Sequence, residues 1–343
     1  HLSGQSRKAG YIDKFTTSPA RRALMAASYA ERTLMAGFTS VRDVGGTDLV
    51  DIDLRDAINA GDVPGPRMFV AGKSLSITGG HADGTNGYLE KYVGVPAEPD
   101  GVVDGTDSAV RAVRIARKRG VDLIKITATA GVLSRQADGT SAHFTDEEIR
   151  AIVETADTFG LKVTAHAHGD EGMRRAVLNG VKSIEHGTYM SEETMDVMID
   201  KGAYLIPTIT AGKSVADSAR IENYYIPIVA RKAMEVGPVI QGTFGKAFRR
   251  GVPIAFGTDA GVFPHGLNAL EFGYMVEAGM PFMEALKTAT VNAATLLNQY
   301  DNFGSLEAGK YADIVAVQED PRADASAATR VSFVMKQGTV YAE

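Results

Sequence analysis

Apolar positions along the chain follow two alternating rhythms. Amphipathic stretches of helical period end in glycine, and a short apolar run begins at once. Ala36-Gly37 leads into FTSVRDV, Arg119-Gly120 into VDLIKI, Phe159-Gly160 into LKVTAH, Asn179-Gly180 into VKSIEH, Lys201-Gly202 into AYLIPT, and Arg250-Gly251 into VPIAFG. Glycine suits a helix C-terminus because the chain leaves there through a left-handed conformation that costs other residues strain. The runs that follow are apolar on both faces, as in strands covered on both sides by helices. A seventh run, RMFVAG at 67–72, follows the helix-like DLVDIDLRDAINAG. Helix starts are equally legible. Ser18-Pro19 combines a hydroxyl cap with proline at the first helical position, and Thr145-Asp146-Glu147-Glu148 combines a cap with an acidic first turn.

Repeated strand–helix units predict an α/β fold built on parallel strands. A doubly wound sheet would carry a glycine-rich phosphate-binding turn after an early strand, and none of the runs is followed by one. A TIM-like (β/α)8 barrel is therefore expected over residues 1–300, with its first strand upstream of His1, because such a barrel needs eight strands and only seven are visible. After Leu297 the pattern changes: GSLEAGKYADIVAV and VSFVMKQGTVY read as antiparallel strands with turns. Residues 301–343 are expected to form the C-terminal part of a small β-sandwich appendage. The segments 73–106 and 208–222 read as long loops covering the mouth of the barrel.

The 343 residues are 44% hydrophobic and 23% charged, ordinary values for a globular chain able to bury a large core. A net charge of −6 and the lack of basic clusters argue against a nucleic-acid partner, and no apolar run reaches the ~20 residues of a membrane span. The composition leaves compartment and oligomeric state open; a homo-oligomer is compatible with it. There is no cysteine, which excludes disulfides, thiolate catalysis and thiolate metal sites. Any metal must be held by carboxylates, lysine-derived groups and some of the seven histidines.

Candidate ligands recur at strand ends: Lys125 in DLIKI, His166 and His168 in TAHAH, His186 in SIEHG and Asp259 in AFGTDAG. Strand C-termini converge on one mouth of a barrel, where active sites are built. Lys125 between Ile124 and Ile126 is costly as a buried ammonium. Either an aspartate such as Asp122 pairs with it, or carbon dioxide converts it to a carbamate able to ligate metal. A lone His166 would read as a hydrogen-bonded core histidine, but imidazoles from adjacent strands suit Zn²⁺, Mn²⁺ or Co²⁺. Asp259 could cap a turn, or ligate metal and shuttle a proton.

The ordered segments AGFTSVRDVGG, SITGGHAD, DLIKITATAGVLS, VTAHAHGDEGM, VKSIEHGTYM, AFGTDAGVFPHG and GSLEAGKYADIVAV resemble the amidohydrolase superfamily across essentially the whole chain. More narrowly, they are similar to the imidazolonepropionase-related branch containing Xaa-Pro dipeptidases (prolidases) and Arg/Lys carboxypeptidases. The resemblance implies a metal-dependent hydrolase with two divalent ions, zinc being the expected metal, bridged by carboxylated Lys125. One ion takes His166 and His186; the other takes Asp259 and a His-x-His pair. The chain opens His1-Leu2-Ser3-Gly4, so His1 corresponds to the second member of that pair, and the first is expected upstream.

The implied reaction is hydrolysis of a dipeptide amide bond by a metal-bridging hydroxide, with Asp259 as proton shuttle and Xaa-Pro as the leading substrate class. His168, two residues beyond His166 on the same strand face, is assigned to catalysis or the substrate carbonyl. His81 and Arg135 are candidates for the substrate carboxylate, and Tyr225 for the pocket wall. The alternatives are an Xaa-Arg/Lys carboxypeptidase, with Asp83 or Asp138 reading the basic side chain, a cyclic-amide hydrolase, and a binding protein with an incomplete metal site.

Overall fold

The computed structural model describes residues 1–8, 10–136 and 138–342. Six short parallel strands carry the body of the molecule: β1 (Ser40–Asp43), β2 (Arg67–Val70), β3 (Leu123–Thr127), β4 (Lys162–Ala167), β5 (Ser183–His186) and β6 (Tyr204–Ile206). β1 pairs with β2, and β3 to β6 pair in sequence order. A bond from the Asp122 amide to the Val70 carbonyl and a bridge between Leu75 and Ile126 join the two groups.

The expected strand VPIAFG reduces to a single parallel bridge, Leu205 to Ile254. Pro253 beside it has no N–H, which limits the ladder that this segment can form. Beyond it, Phe256 stacks on Phe38 with ring centroids 5.6 Å apart, bringing the last strand segment against the approach to β1. The N-terminal segment lies across the same gap at the strand C-terminal ends: the His1 amino group donates to the Ala260 carbonyl at 2.8 Å and the Leu2 amide to Asp43 Oδ2 at 2.7 Å.

Helices flank each strand. The predicted caps are present: Ser18 accepts from the Arg21 amide at the start of Pro19–Met35, and Thr145 forms a reciprocal capping box with Glu148 at the start of Asp146–Asp157. Ile124, Ile126, Ala165, Ala167 and Ile184 join the main apolar core, whereas Lys125, Thr127, His166, His168 and Glu185 face an internal cavity. This alternation follows from the two-residue period of a strand.

The 208–222 segment differs from expectation, because residues Ile209–Ala219 are helical. No local side chain caps this helix. The buried Glu271 carboxylate, 62 residues further along the chain, accepts from the Ile209 and Thr210 amides at 2.7 and 2.8 Å, a tertiary contact that local pattern cannot register. The C-terminal residues form an antiparallel sheet of β7 (Ile314–Val317), β8 (Val331–Lys336) and β9 (Thr339–Ala342). Gln337 and Gly338, both at positive φ, make the two-residue turn that the strand twist favours. An Arg67–Asp313 ion pair at 2.8 Å and a bond from Lys336 Nζ to the Gly65 carbonyl tie this sheet to the parallel body. No helix is long and apolar enough to cross a membrane among the described residues.

Candidate metal and active site

The C-terminal ends of the parallel strands open into a cavity of about 490 Å³. His1, His81, Lys125, His166, His168, His186 and Asp259 all line it. His166, His168 and His186 form its tightest group, with one potential ligand nitrogen from each lying within 4.8 Å of the others. His186 and Asp259 sit at positive φ, 77° and 56°, uncommon for residues with a side chain. The turn at His186 breaks strand alternation, so that Glu185 and His186 both face the cavity. Strained backbone of this kind concentrates where geometry serves chemistry.

Each imidazole is oriented by a specific partner. His166 Nε2 lies 3.2 Å from the Ala130 carbonyl, which can only accept, so the proton sits on Nε2 and Nδ1 carries the free lone pair. His168 Nδ1 is 2.7 Å from the Thr188 hydroxyl, and His186 Nδ1 is 2.7 Å from the Thr208 hydroxyl. A hydroxyl can donate or accept, so these contacts orient each ring, and the tautomer with Nδ1 donating to threonine leaves Nε2 as a ligand atom. Burial, reinforced by the neighbouring His81, His186, His168 and Lys125, holds His166 well below the ordinary histidine value. Burial and surrounding positive charge do the same for His186 and bring His168 to about 4. His81, stacked on His166 at 4.2 Å, is brought to about 3 by burial and nearby cations. Neutral imidazoles are the form that binds metal.

Lys125 is buried in β3, and burial lowers its ammonium to about 8 against the opposing charges of Glu185 and Asp259. The alternative partner, Asp122, is engaged instead with Arg55 at 2.8 Å and the Val70 amide at 2.9 Å. His1 Nε2 stands 3.0 Å from Asp259 Oδ1. Burial alone would raise the Asp259 carboxyl, but the hydrogen bond and charge of His1 outweigh it and hold it below its ordinary value. The donor set therefore suits divalent metal: three neutral imidazoles, a carboxylate kept ionised, and a buried lysine whose ammonium loses its proton more readily than usual.

Arg135 and Tyr225 do not line the cavity. The Arg135 guanidinium lies 5.0 Å from the centroid of the Tyr88 ring on the exposed rim. Tyr225 packs against the small apolar cluster of Val132, Val215, Ala233 and Val236. Several contributors had no clear sequence signal, among them the orienting threonines Thr188 and Thr208. The part-buried pair of Arg42 and Glu185, 2.7 Å apart in the cavity lining, is another. A charged residue inside an apolar run was the available hint for Glu185 in SIEH.

The model of the amidohydrolase family matches residues 1–341. The chain belongs to the amidohydrolase family. Among solved structures, this amidohydrolase is similar to a Xaa-Pro dipeptidase with methionine bound in its active site. They share 47% identity at a TM-score of 0.96, over 100% of this chain and 84% of that one. A prolidase complexed with N-methylphosphonate-L-proline gives 31% identity and a TM-score of 0.91 over 100% and 84% of the two chains. Among curated proteins, the ochratoxinase of Aspergillus niger is 33% identical over 329 residues, 92% of this chain and 67% of its own length. The parallel-strand body accordingly has an amidohydrolase fold, closely matched by these hydrolases.

Proposed function

We propose that this amidohydrolase is a metal-dependent hydrolase of dipeptide amide bonds with Xaa-Pro substrates foremost. The observation that carries the reading is the convergence of Lys125, His166, His186, Asp259 and His1 on one cavity. Divalent metal held by these residues would supply a Lewis acid for the scissile carbonyl and an acidified water. Burial, by lowering the Lys125 ammonium, leaves a fraction of neutral amine, the form to which carbon dioxide adds, and this supports a carboxylated Lys125 among the residues that would hold the metal. Asp259, which nearby metal charge would keep ionised, would accept the proton of the attacking water at a carboxylate oxygen and return it to the leaving nitrogen. His168 faces the substrate carbonyl, and His81 faces the substrate carboxylate.

The outer wall favours apolar over basic substrates. Val132, Leu133, Val215, Val236, Ile240 and Val262 line it, while the acidic lining residues are Asp43, Glu185 and Asp259 at the inner end. Asp83 caps its own loop through the Gly79 and Thr85 amides, and Asp138 accepts from the Thr140 and Ser141 amides, so neither reads a basic side chain in this arrangement. The same apolar wall, with the similarity to ochratoxinase, supports a second reading as a hydrolase of ochratoxin.

The test is metal analysis joined to a substrate panel of Xaa-Pro, Xaa-Arg and Xaa-Lys dipeptides and ochratoxin. Chelator-sensitive cleavage of Xaa-Pro supports the first reading, and cleavage of ochratoxin alone replaces it with the second. Preference for Xaa-Lys, or turnover indifferent to chelation in metal-free protein, overturns both.

A further inference from the structure

Lys232 is buried on the helix Pro227–Arg250, yet none of its hydrogen-bond acceptors is a carboxylate. Its Nζ donates to three backbone carbonyls of one loop: Gly131 at 2.7 Å, Ser134 at 2.9 Å and Gln136 at 2.9 Å. All three ammonium protons are thereby used. A buried cation whose direct partners are all carbonyl dipoles, with the Asp138 charge acting only from beyond hydrogen-bond reach, is expensive compared with an apolar side chain, so packing does not account for it.

The loop that it holds touches the candidate site at several points. It leaves β3 and returns through an antiparallel bridge between Thr129 and Ala142. The Ala130 carbonyl orients His166, and a Cβ at Gly131 would fall 2.2 Å from the His81 ring, so the backbone is pressed against that imidazole. Val132 and Leu133 form part of the cavity wall. At the tip, Gln136 bonds the Gly79 carbonyl, and Arg135 covers Tyr88.

We propose that Lys232 is a positioning residue: an ammonium latch in a carbonyl cage that holds the 131–136 loop closed over the cavity. The cage is a cation site by its chemistry, three convergent carbonyl oxygens, and the protein fills it with its own side chain. A small cation of similar size and charge should replace that side chain when it is removed. The kinetic consequence rests on the proposed amide hydrolysis; the latch itself does not.

The experiment uses Lys232→Ala in the full chain, with methylammonium or potassium chloride as the added cation and sodium chloride at equal ionic strength as control. The bond after Arg135 is followed by mass spectrometry during limited trypsin digestion. Cleavage there should accelerate in the variant and slow again with methylammonium. For the dipeptide hydrolysed, KM should rise roughly ten- to a hundredfold with kcat within about twofold, and methylammonium should restore it. Unchanged cleavage after Arg135, or acceleration that neither cation reverses, overturns the latch. Restored protection without any hydrolysis, in variant and parent alike, would support the latch while counting against the proposed function. If Lys232→Ala does not fold, hydrogen exchange on the parent decides. Amides of 131–136 as slow as the Thr129–Ala142 stem support the latch, and exchange at the rate of open chain overturns it.

Discussion

Thr208 occupies a left-handed backbone position and places its hydroxyl 2.7 Å from His186 Nδ1, so one side chain orients the ring of a candidate ligand. Thr208→Ala is expected to weaken metal retention roughly ten- to a hundredfold, as for other outer partners of ligating histidines, while Thr208→Ser retains it. Competition titration against a chromophoric chelator measures this. Asp51 offers a separate test, away from the ligands. Its Oδ2 accepts from the Gly72 amide at 2.8 Å, while Oδ1 is buried without a partner. Burial, joined by the charge of Asp43, raises this carboxyl to about 6. The folded protein therefore holds the proton more tightly than the unfolded chain. The resulting stability is fully present below about pH 4 and is lost as pH rises through about 6, by up to about 3 kcal/mol. Asp51→Asn should remove that slope, as thermal midpoints between pH 4 and 7 would show, and an unchanged slope would assign the titration elsewhere.

The helix Ile209–Ala219 shows what a single long-range contact does for an element. Its sequence, ITAGKSVADSA, contains Gly212 and begins without a capping side chain. Glu271 satisfies two of its free amides and the Thr210 hydroxyl, and the same turn carries Thr208. Glu271→Ala should destabilise the protein by about 1–3 kcal/mol, because buried donors are left unpaired. Denaturant unfolding measures that loss, and hydrogen exchange should place the early opening in residues 209–219. The strands were more readable than this helix. Glycine at a helix exit followed at once by an apolar run located six of the seven strand positions and RMFVAG was legible as an apolar run, although Pro253 left VPIAFG with one bridge. Local chemistry also announced the Ser18 and Thr145 caps, which lie within three residues of the amides they serve.

For the whole molecule, a metal that binds only the folded state adds stability by mass action, about 2.7 kcal/mol at a concentration a hundredfold above its dissociation constant. Dialysis against chelator should lower the thermal midpoint, and Lys125→Ala should abolish the recovery that added zinc otherwise produces. Retained recovery in that variant would remove Lys125 from the ligand set. What the sequence by itself determined is what depends on near neighbours: strand and helix positions, helix caps, and the residue types at strand ends. Lys125, His166, His168, His186 and Asp259 were legible because each interrupts an apolar run or follows it at once, where ordinary packing offers no reason for a polar group. Tertiary structure alone decided contacts between residues far apart in the chain. It set Arg135 on Tyr88 at the rim and Tyr225 in an apolar cluster, and it put threonines behind two histidines and Lys232 inside a cage of carbonyls. Such contacts depend on distances closed by folding, and the identities of neighbouring residues along the chain carry no record of them.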